Sequence, residues 1–188
     1  MSAPQSSAPQ SIKLNTQEYF DNAYKGLLLE FPDVNIFALP KIDKIIVSSG
    51  VGKYDNKVKQ EIGEYLEKIT GQKAKKVPAK VSISSFKLRK GDTVSQMVTL
   101  NGKKARDFLF QLVTVALPRT RDFKGIKSTS FDKNYRCYST GIENASIFTA
   151  VGFDTGFNFG VQVSICFKTG TPNNLNYLHQ LKLPFKKS

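Results

Sequence analysis

Gly50-Val51-Gly52-Lys53 follows an aliphatic run, and a glycine turn beside a lysine is one way for backbone N–H groups to cradle a phosphate. A P-loop would need a four-residue gap between its glycines and a Ser or Thr after the Lys. Neither is present, and the third glycine of a dinucleotide fingerprint is also missing. What remains is a tight turn that lets backbone approach a phosphate closely. Catalytic equipment is sparse. The only histidine, His179, sits in a C-terminal helical stretch with Tyr177, Leu178 and Leu181, and reads as a surface or satisfied core residue. No acidic residue lies beyond Asp154, so no Ser/His/Asp order assembles around it. Glu61, Glu64 and Glu67 are one helical turn apart and interleave with Lys57, Lys59 and Lys68, the pattern of a solvated face. Cys137 and Cys166 have neither zinc spacing nor the numbers of a disulfide framework. They read as two small buried thiols in a reducing compartment. No cofactor and no metal site is expected.

The basic residues are patterned differently. The chain has 188 residues and a formal charge of +13. Residues 1–70 carry 8 basic and 9 acidic side chains, residues 71–136 carry 16 and 4, and residues 137–188 carry 4 and 2. Nearly all the excess therefore sits in the middle third. Like charges held together oppose compaction, so a polyanionic partner explains the concentration better than solubility does. Lys73, Lys75 and Lys76 precede Pro78, and Lys80 precedes Ser82, Ser84 and Ser85. Small hydroxyls among cations suit phosphate and 2′-OH contacts. Lys87, Arg89 and Lys90 stand at a turn, and Arg119, Arg121, Lys124 and Lys127 crowd a later loop. Forked guanidinium groups match phosphate oxygens. Phe86, Phe123 and Phe131 suit base stacking or core packing, with the core favoured.

The elements that must position these groups follow from periodicity. Residues 1–15, rich in Ser, Pro and Gln, read as a flexible tail before a domain over 16–188. The tail has neither the apolar core of a secretory signal nor an Arg-rich presequence pattern, and no segment is long and apolar enough to span a membrane. Thr16 is expected to cap a helix reaching Glu30. Ile42 to Val47 reads as a strand with Ile45, Ile46 and Val47 all buried, and Gly50-Val51-Gly52 breaks it. Asp55 or Asn56 caps a second helix striped by Val58, Ile62, Tyr65, Leu66 and Ile69, with Gly71 as its C-cap. Val81 to Leu88 alternates like a strand with Val81 and Ile83 inward. It leads through Arg89-Lys90-Gly91-Asp92 into a strand over Thr93 to Leu100. A helix from Lys103 to Leu117 is stopped by Pro118, and a basic loop runs from Arg119 to about Asn134. Strands near 135–142 and 161–168 and a short helix at 173–181 complete the chain. The fold class is α+β, one domain with an antiparallel sheet packed against helices.

Five segments in this order resemble the bacterial-type large-subunit ribosomal protein five family, the 5S rRNA-binding protein of the central protuberance. Pro40-Lys41-Ile42-Asp43-Lys44-Ile45 leading to Gly50-Val51-Gly52 is similar to that family's first strand and turn. Ile69-Thr70-Gly71-Gln72-Lys73 looks like its helix-ending segment. Ser85-Phe86-Lys87-Leu88-Arg89-Lys90-Gly91 resembles its Phe-Lys-Ile-Arg-x-Gly hairpin. Pro118-Arg119-Thr120-Arg121-Asp122-Phe123-Lys124-Gly125 is close to its Pro-Arg-x-Arg-Asp-Phe-Arg-Gly, and Leu183-Pro184-Phe185-Lys186 also fits.

The resemblance implies an rRNA-binding set of Ser48, Gly50, Val51, Gly52, Lys53, Gln72, Lys73, Lys87 and Arg89. It implies a loop of Pro78, Ala79, Lys80, Val81 and Ser82 against the P-site tRNA. A third set, Arg119, Arg121, Asp122, Phe123, Lys124 and Lys127, would form an intersubunit bridge. The implied partners are 5S rRNA (or the RNA replacing it), large-subunit rRNA, P-site tRNA, a small-subunit head protein and neighbouring central-protuberance proteins, with no membrane. Ser48, Glu143 and Thr149 depart from the family pattern, as do Pro78 and Val81 around Lys80. These departures point to a mitochondrial ribosome, with a bacterial cytoplasmic or plastid ribosome as the alternative. The rival functions are an RNA-processing or RNA-modifying enzyme and a basic adaptor for anionic membranes or acidic proteins. The first would need a general base or cofactor loop, and the second a basic amphipathic helix.

Overall fold

The computed structural model describes residues 10–32, 35–86, 88–120, 125–148 and 158–186, with side chains from Thr16 onward except that of Ile36. Helix α1 spans Gln10–Glu30, α2 Asn56–Thr70, α3 Gly102–Gln111 and α4 Asn173–Gln180. The strands are β1 Ile42–Gly50, β2 Lys75–Pro78, β3 Thr93–Asn101, β4 Cys137–Ile142 and β5 Val161–Phe167. They form one antiparallel sheet in the order β2-β3-β1-β5-β4. The expected α+β architecture is therefore the observed one.

Alternation along the strands divides the sheet into two faces. Ile45 and Val47 of β1, Val98 and Leu100 of β3, Val163 and Ile165 of β5, and Tyr138 of β4 are buried together. Ile62, Tyr65 and Leu66 of α2 and Phe108 and Leu109 of α3 join the same core. Helix α1 adds Phe20, Ala23 and Leu27, and it is tied to the end of α4 where the Tyr19 hydroxyl donates to the Leu181 carbonyl. On the other face every strand of the central part keeps partly accessible side chains. Antiparallel sheets tolerate this arrangement, with one face on the core and one open.

Several expectations need correction. Helix α1 starts at Gln10, so Thr16 is a buried residue inside the helix, not its cap, and residues 10–15 of the expected tail are helical. Ile46 is only partly buried, because one residue of offset puts it on the open face. Val81–Leu88 is not a strand: β2 lies earlier, and Val81, Ile83 and Phe86 are exposed. Cys137 and Cys166 are not separate thiols. They face one another in the β4–β5 register and form a disulfide, which removes the ground for expecting a reducing compartment. Beyond Gln111, α3 continues as a π segment, Leu112–Ala116, and a 3-10 turn, Leu117–Arg119, in which Pro118 ends the helical run.

Candidate nucleic-acid interface

The strand register gives the open face its composition. One row crosses all five strands as Lys75, Met97, Ser48, Gln162 and Gly141. The row on one side of it is Val77, Ser95 and Gly50, and on the other Thr99, Ile46, Ser164 and Ser139. A fourth row holds Asn101, Lys44, Cys166 and Cys137. No carboxylate stands in any of the four rows. Small hydroxyls, two amides and two glycines leave the backbone approachable, and two lysines supply positive charge. Such a surface can accept a phosphate-bearing ridge and donate hydrogen bonds into it. Some hydroxyls are already oriented: the Ser95 hydroxyl donates to the Ser49 carbonyl at 2.9 Å, and the Ser139 and Ser164 hydroxyls lie 2.9 Å apart.

The residues expected at the first turn divide into scaffold and surface. Val51 is fully buried, and its N–H donates to the Val94 carbonyl at 2.8 Å, so it anchors the turn. Ser48 lies on the open face, while Gly50 and Lys53 are exposed at its rim. A Cβ built on Gly50 would find nothing within 4 Å, so the fold itself does not require glycine there. On Gly52 a Cβ would meet Val94 Cγ1 at 3.7 Å, an ordinary contact. Lys53 Nζ lies 5.1 Å from the Tyr54 ring centroid.

Gln72 and Lys73 reach the same edge by another route. Gly71 ends α2 in the left-handed region at φ 65°, its N–H donating to the Glu67 carbonyl. The chain then turns towards β2, whose first paired residue is Lys75 opposite Met97. Gln72 covers the next β3 carbonyl, its Nε2 donating to Thr99 O at 3.2 Å, and leaves Lys73 exposed. Gln72, Lys73 and Lys75 thus border the rows that contain Ser48. Arg89 is exposed further along, its N–H donating to Asp92 Oδ2 at 2.9 Å; Lys87 lies outside the described residues.

Pro78, Ala79, Lys80, Val81 and Ser82 form one limb of a folded hairpin between β2 and β3. Ala79 N–H donates to the Asp92 carbonyl at 2.8 Å, and Gly91 N–H to the Ala79 carbonyl at 3.1 Å. Ser82 accepts from the Lys90 N–H at 2.9 Å and so ties the two limbs together, and it is exposed like Lys80 and Val81.

Just before Lys127, the last residue of the third set, the chain is held by a neighbour from near the C-terminal end. Ile126 N–H donates to the Pro184 carbonyl at 2.8 Å and Lys186 N–H to the Ile126 carbonyl at 2.9 Å. Gly125 has φ 88°, and a Cβ there would sit 2.5 Å from the Lys186 nitrogen. Tyr138 donates its hydroxyl to the Lys127 carbonyl at 2.9 Å. Burial pushes that phenol up to about 12, so it remains a donor throughout the neutral range. Arg119 and Lys127 are exposed on an open cleft beside Thr140 and Asn144. Arg121, Asp122, Phe123 and Lys124 lie outside the described residues, as does Thr149.

The sequence alone did not single out Ser95, Met97, Thr99, Ser139, Gln162 and Ser164. Their alternation along β3, β4 and β5 was the available signal, but only the register aligns them with Ser48. His179 is exposed with its ring 4.4 Å from that of Phe185, and among the described residues no cluster could hold a metal ion. No described helix is long and apolar enough to cross a membrane.

A one-sided α+β sheet whose described open-face rows carry no carboxylate, with lysines along one edge, offers a surface suited in shape and charge to a polyanion. Residues 35–89 match the model described as Ribosomal protein L5, and residues 93–185 match the model of the C-terminus of the same ribosomal family. The large ribosomal subunit protein uL5 of Flavobacterium johnsoniae is 38% identical over 176 residues, covering 92% of this chain and 96% of that protein. The same protein of Mycoplasma mycoides is 38% identical over 175 residues, covering 90% and 96%. That of Borrelia duttonii is 44% identical over 140 residues, covering 73% and 76%. The chain belongs to the ribosomal protein L5 family.

Proposed function

We propose that this chain is a structural constituent of the large ribosomal subunit, not an enzyme, and that it holds 5S rRNA, or the RNA replacing it, against the open face of its sheet. The observation that carries this reading is the row Lys75, Met97, Ser48, Gln162 and Gly141, which crosses the whole sheet without a carboxylate. The basic edge at Lys73 supplies counterion release, and the exposed Gly50 leaves room for close approach. The site then lies in the central protuberance, beside neighbouring proteins of that region and other large-subunit rRNA. The 78–82 limb contacts P-site tRNA. The 119–127 loop forms an intersubunit bridge to a protein of the small-subunit head. The departures at Ser48, Pro78, Val81 and Glu143 favour a mitochondrial ribosome, and fractionation placing the protein on cytosolic ribosomes would refute that part.

The mechanism is passive. Cations displace condensed counterions, and a rigid sheet selects RNA shape. With about six phosphates neutralised, the logarithm of affinity for a 5S rRNA transcript should fall against log salt with a slope of about −5. Lys73→Ala should reduce that slope by about one. A response independent of salt would overturn the reading.

A further inference from the structure

The hairpin between β2 and β3 spends large apolar side chains on solvent. Phe86 is 72% exposed, Val81 66% and Ile83 43%. They are not on a loose loop. Ile83 and Leu88 pair as an antiparallel bridge, with N–H donated each way at 3.0 and 3.1 Å, and the Ser84–Phe86 turn closes the tip. The Ala79–Asp92 and Lys90–Ser82 hydrogen bonds stiffen the stem below. Phe86 is therefore presented from a preformed tip. Its fate differs from that of Phe131, which packs among Tyr138 and Phe167 in the core.

Building on the RNA-binding reading of this hairpin, we propose that Phe86 is a stacking platform for an exposed nucleobase of a folded RNA, with Val81 and Ile83 as its apolar flank. Two observations choose RNA over a membrane or an apolar protein groove. The rim of the tip is cationic, with Lys80, Arg89 and Lys90 all exposed, which fits the phosphates on either side of a splayed base. Ser84 and Ser85 share the outermost turn with Phe86 and are exposed. Their hydroxyls pair with phosphate or 2′-OH groups, whereas insertion into lipid would strip them of water without return. The hairpin thus reads RNA by shape at the base face, and the lysines that flank it add affinity without sequence preference.

The chain contains no tryptophan, so Phe86→Trp introduces a single indole emitter at the tip. With the full chain and a tRNA transcript as probe, Phe86→Trp should bind like the wild type and lose emission as the transcript saturates it. Phe86→Ala should weaken binding about tenfold to a hundredfold, with the salt slope unchanged. Phe86→Leu, which keeps apolar area without a ring, should recover less than Phe86→Trp. Unaltered emission, or full affinity in Phe86→Ala, overturns the stacking role. If Lys80→Ala nevertheless weakens the complex, contact with tRNA stands and only stacking falls. If no variant binds tRNA, both fall. Loss of binding to phosphatidylserine vesicles in Phe86→Ala, with RNA binding intact, would assign the tip to membranes and refute the proposal.

Discussion

Gly50 and Val51 are adjacent yet have opposite duties. Val51 is held in the core and by the Val94 carbonyl, while Gly50 has open space where a side chain would go. A β-branched residue suits an extended strand end, so Gly50→Val should leave the denaturation midpoint within about 0.5 kcal/mol of wild type. Its bulk would nevertheless stand on the face proposed to meet RNA. Affinity for a 5S rRNA transcript should fall by at least tenfold; an unfolded variant or undiminished binding would each contradict this division. Tyr138 illustrates a different constraint. Its phenol, like that of Tyr177, is raised to about 12 by burial, against about 10 when unfolded. Between those values the unfolded chain holds fewer protons than the native one, so stability is complete below pH ~10 and declines towards pH 12. Urea midpoints followed from pH 8 to 11.5 should be flat and then fall, and Tyr138→Phe should flatten the decline.

At the scale of elements, the Gly125–Ile126 segment is held by chain from near the C-terminal end of the sequence. Gly125 combines a positive φ with backbone contact to Lys186, so Gly125→Ala should cost at least about 1 kcal/mol and loosen the Ile126–Lys127 segment. Denaturant midpoints measure the cost, and faster amide exchange at Ile126 would show the loosening. Much of the element pattern was readable from residue order. Helix α2 announced itself by its stripe from Val58 to Ile69 and by Gly71, and β1 and β3 by their aliphatic content. Other elements were not readable. The alternation of Val81 and Ile83 imitates a strand, but it serves a hairpin tip whose apolar residues face out. The start of α1 was obscured because a Ser-rich composition resembles a tail even where Gln10 begins a helix. The Cys137–Cys166 pair depends on which residues β4 and β5 align, and spacing alone carries no such information.

At the scale of the whole molecule, the charge distribution pointed to a polyanionic partner and to the basic third of the chain, but not to a face. That face emerges only when five strands from separate stretches are set in register, bringing Ser48, Gln162 and Gly141 into line with Lys75. Helices cover the opposite side, where the exposed Glu61 and Glu64 of α2 serve as a reference. Among the described residues no cysteine is free, so Ser48→Cys and Glu64→Cys each offer one new thiol for a photoactivated crosslinker. Incorporated into large subunits, the Ser48→Cys protein should crosslink to 5S rRNA or the RNA in its place, and Glu64→Cys should not. RNA captured from Glu64→Cys, with Ser48→Cys crosslinking to protein alone, would place the RNA on the wrong side of the sheet and contradict the account.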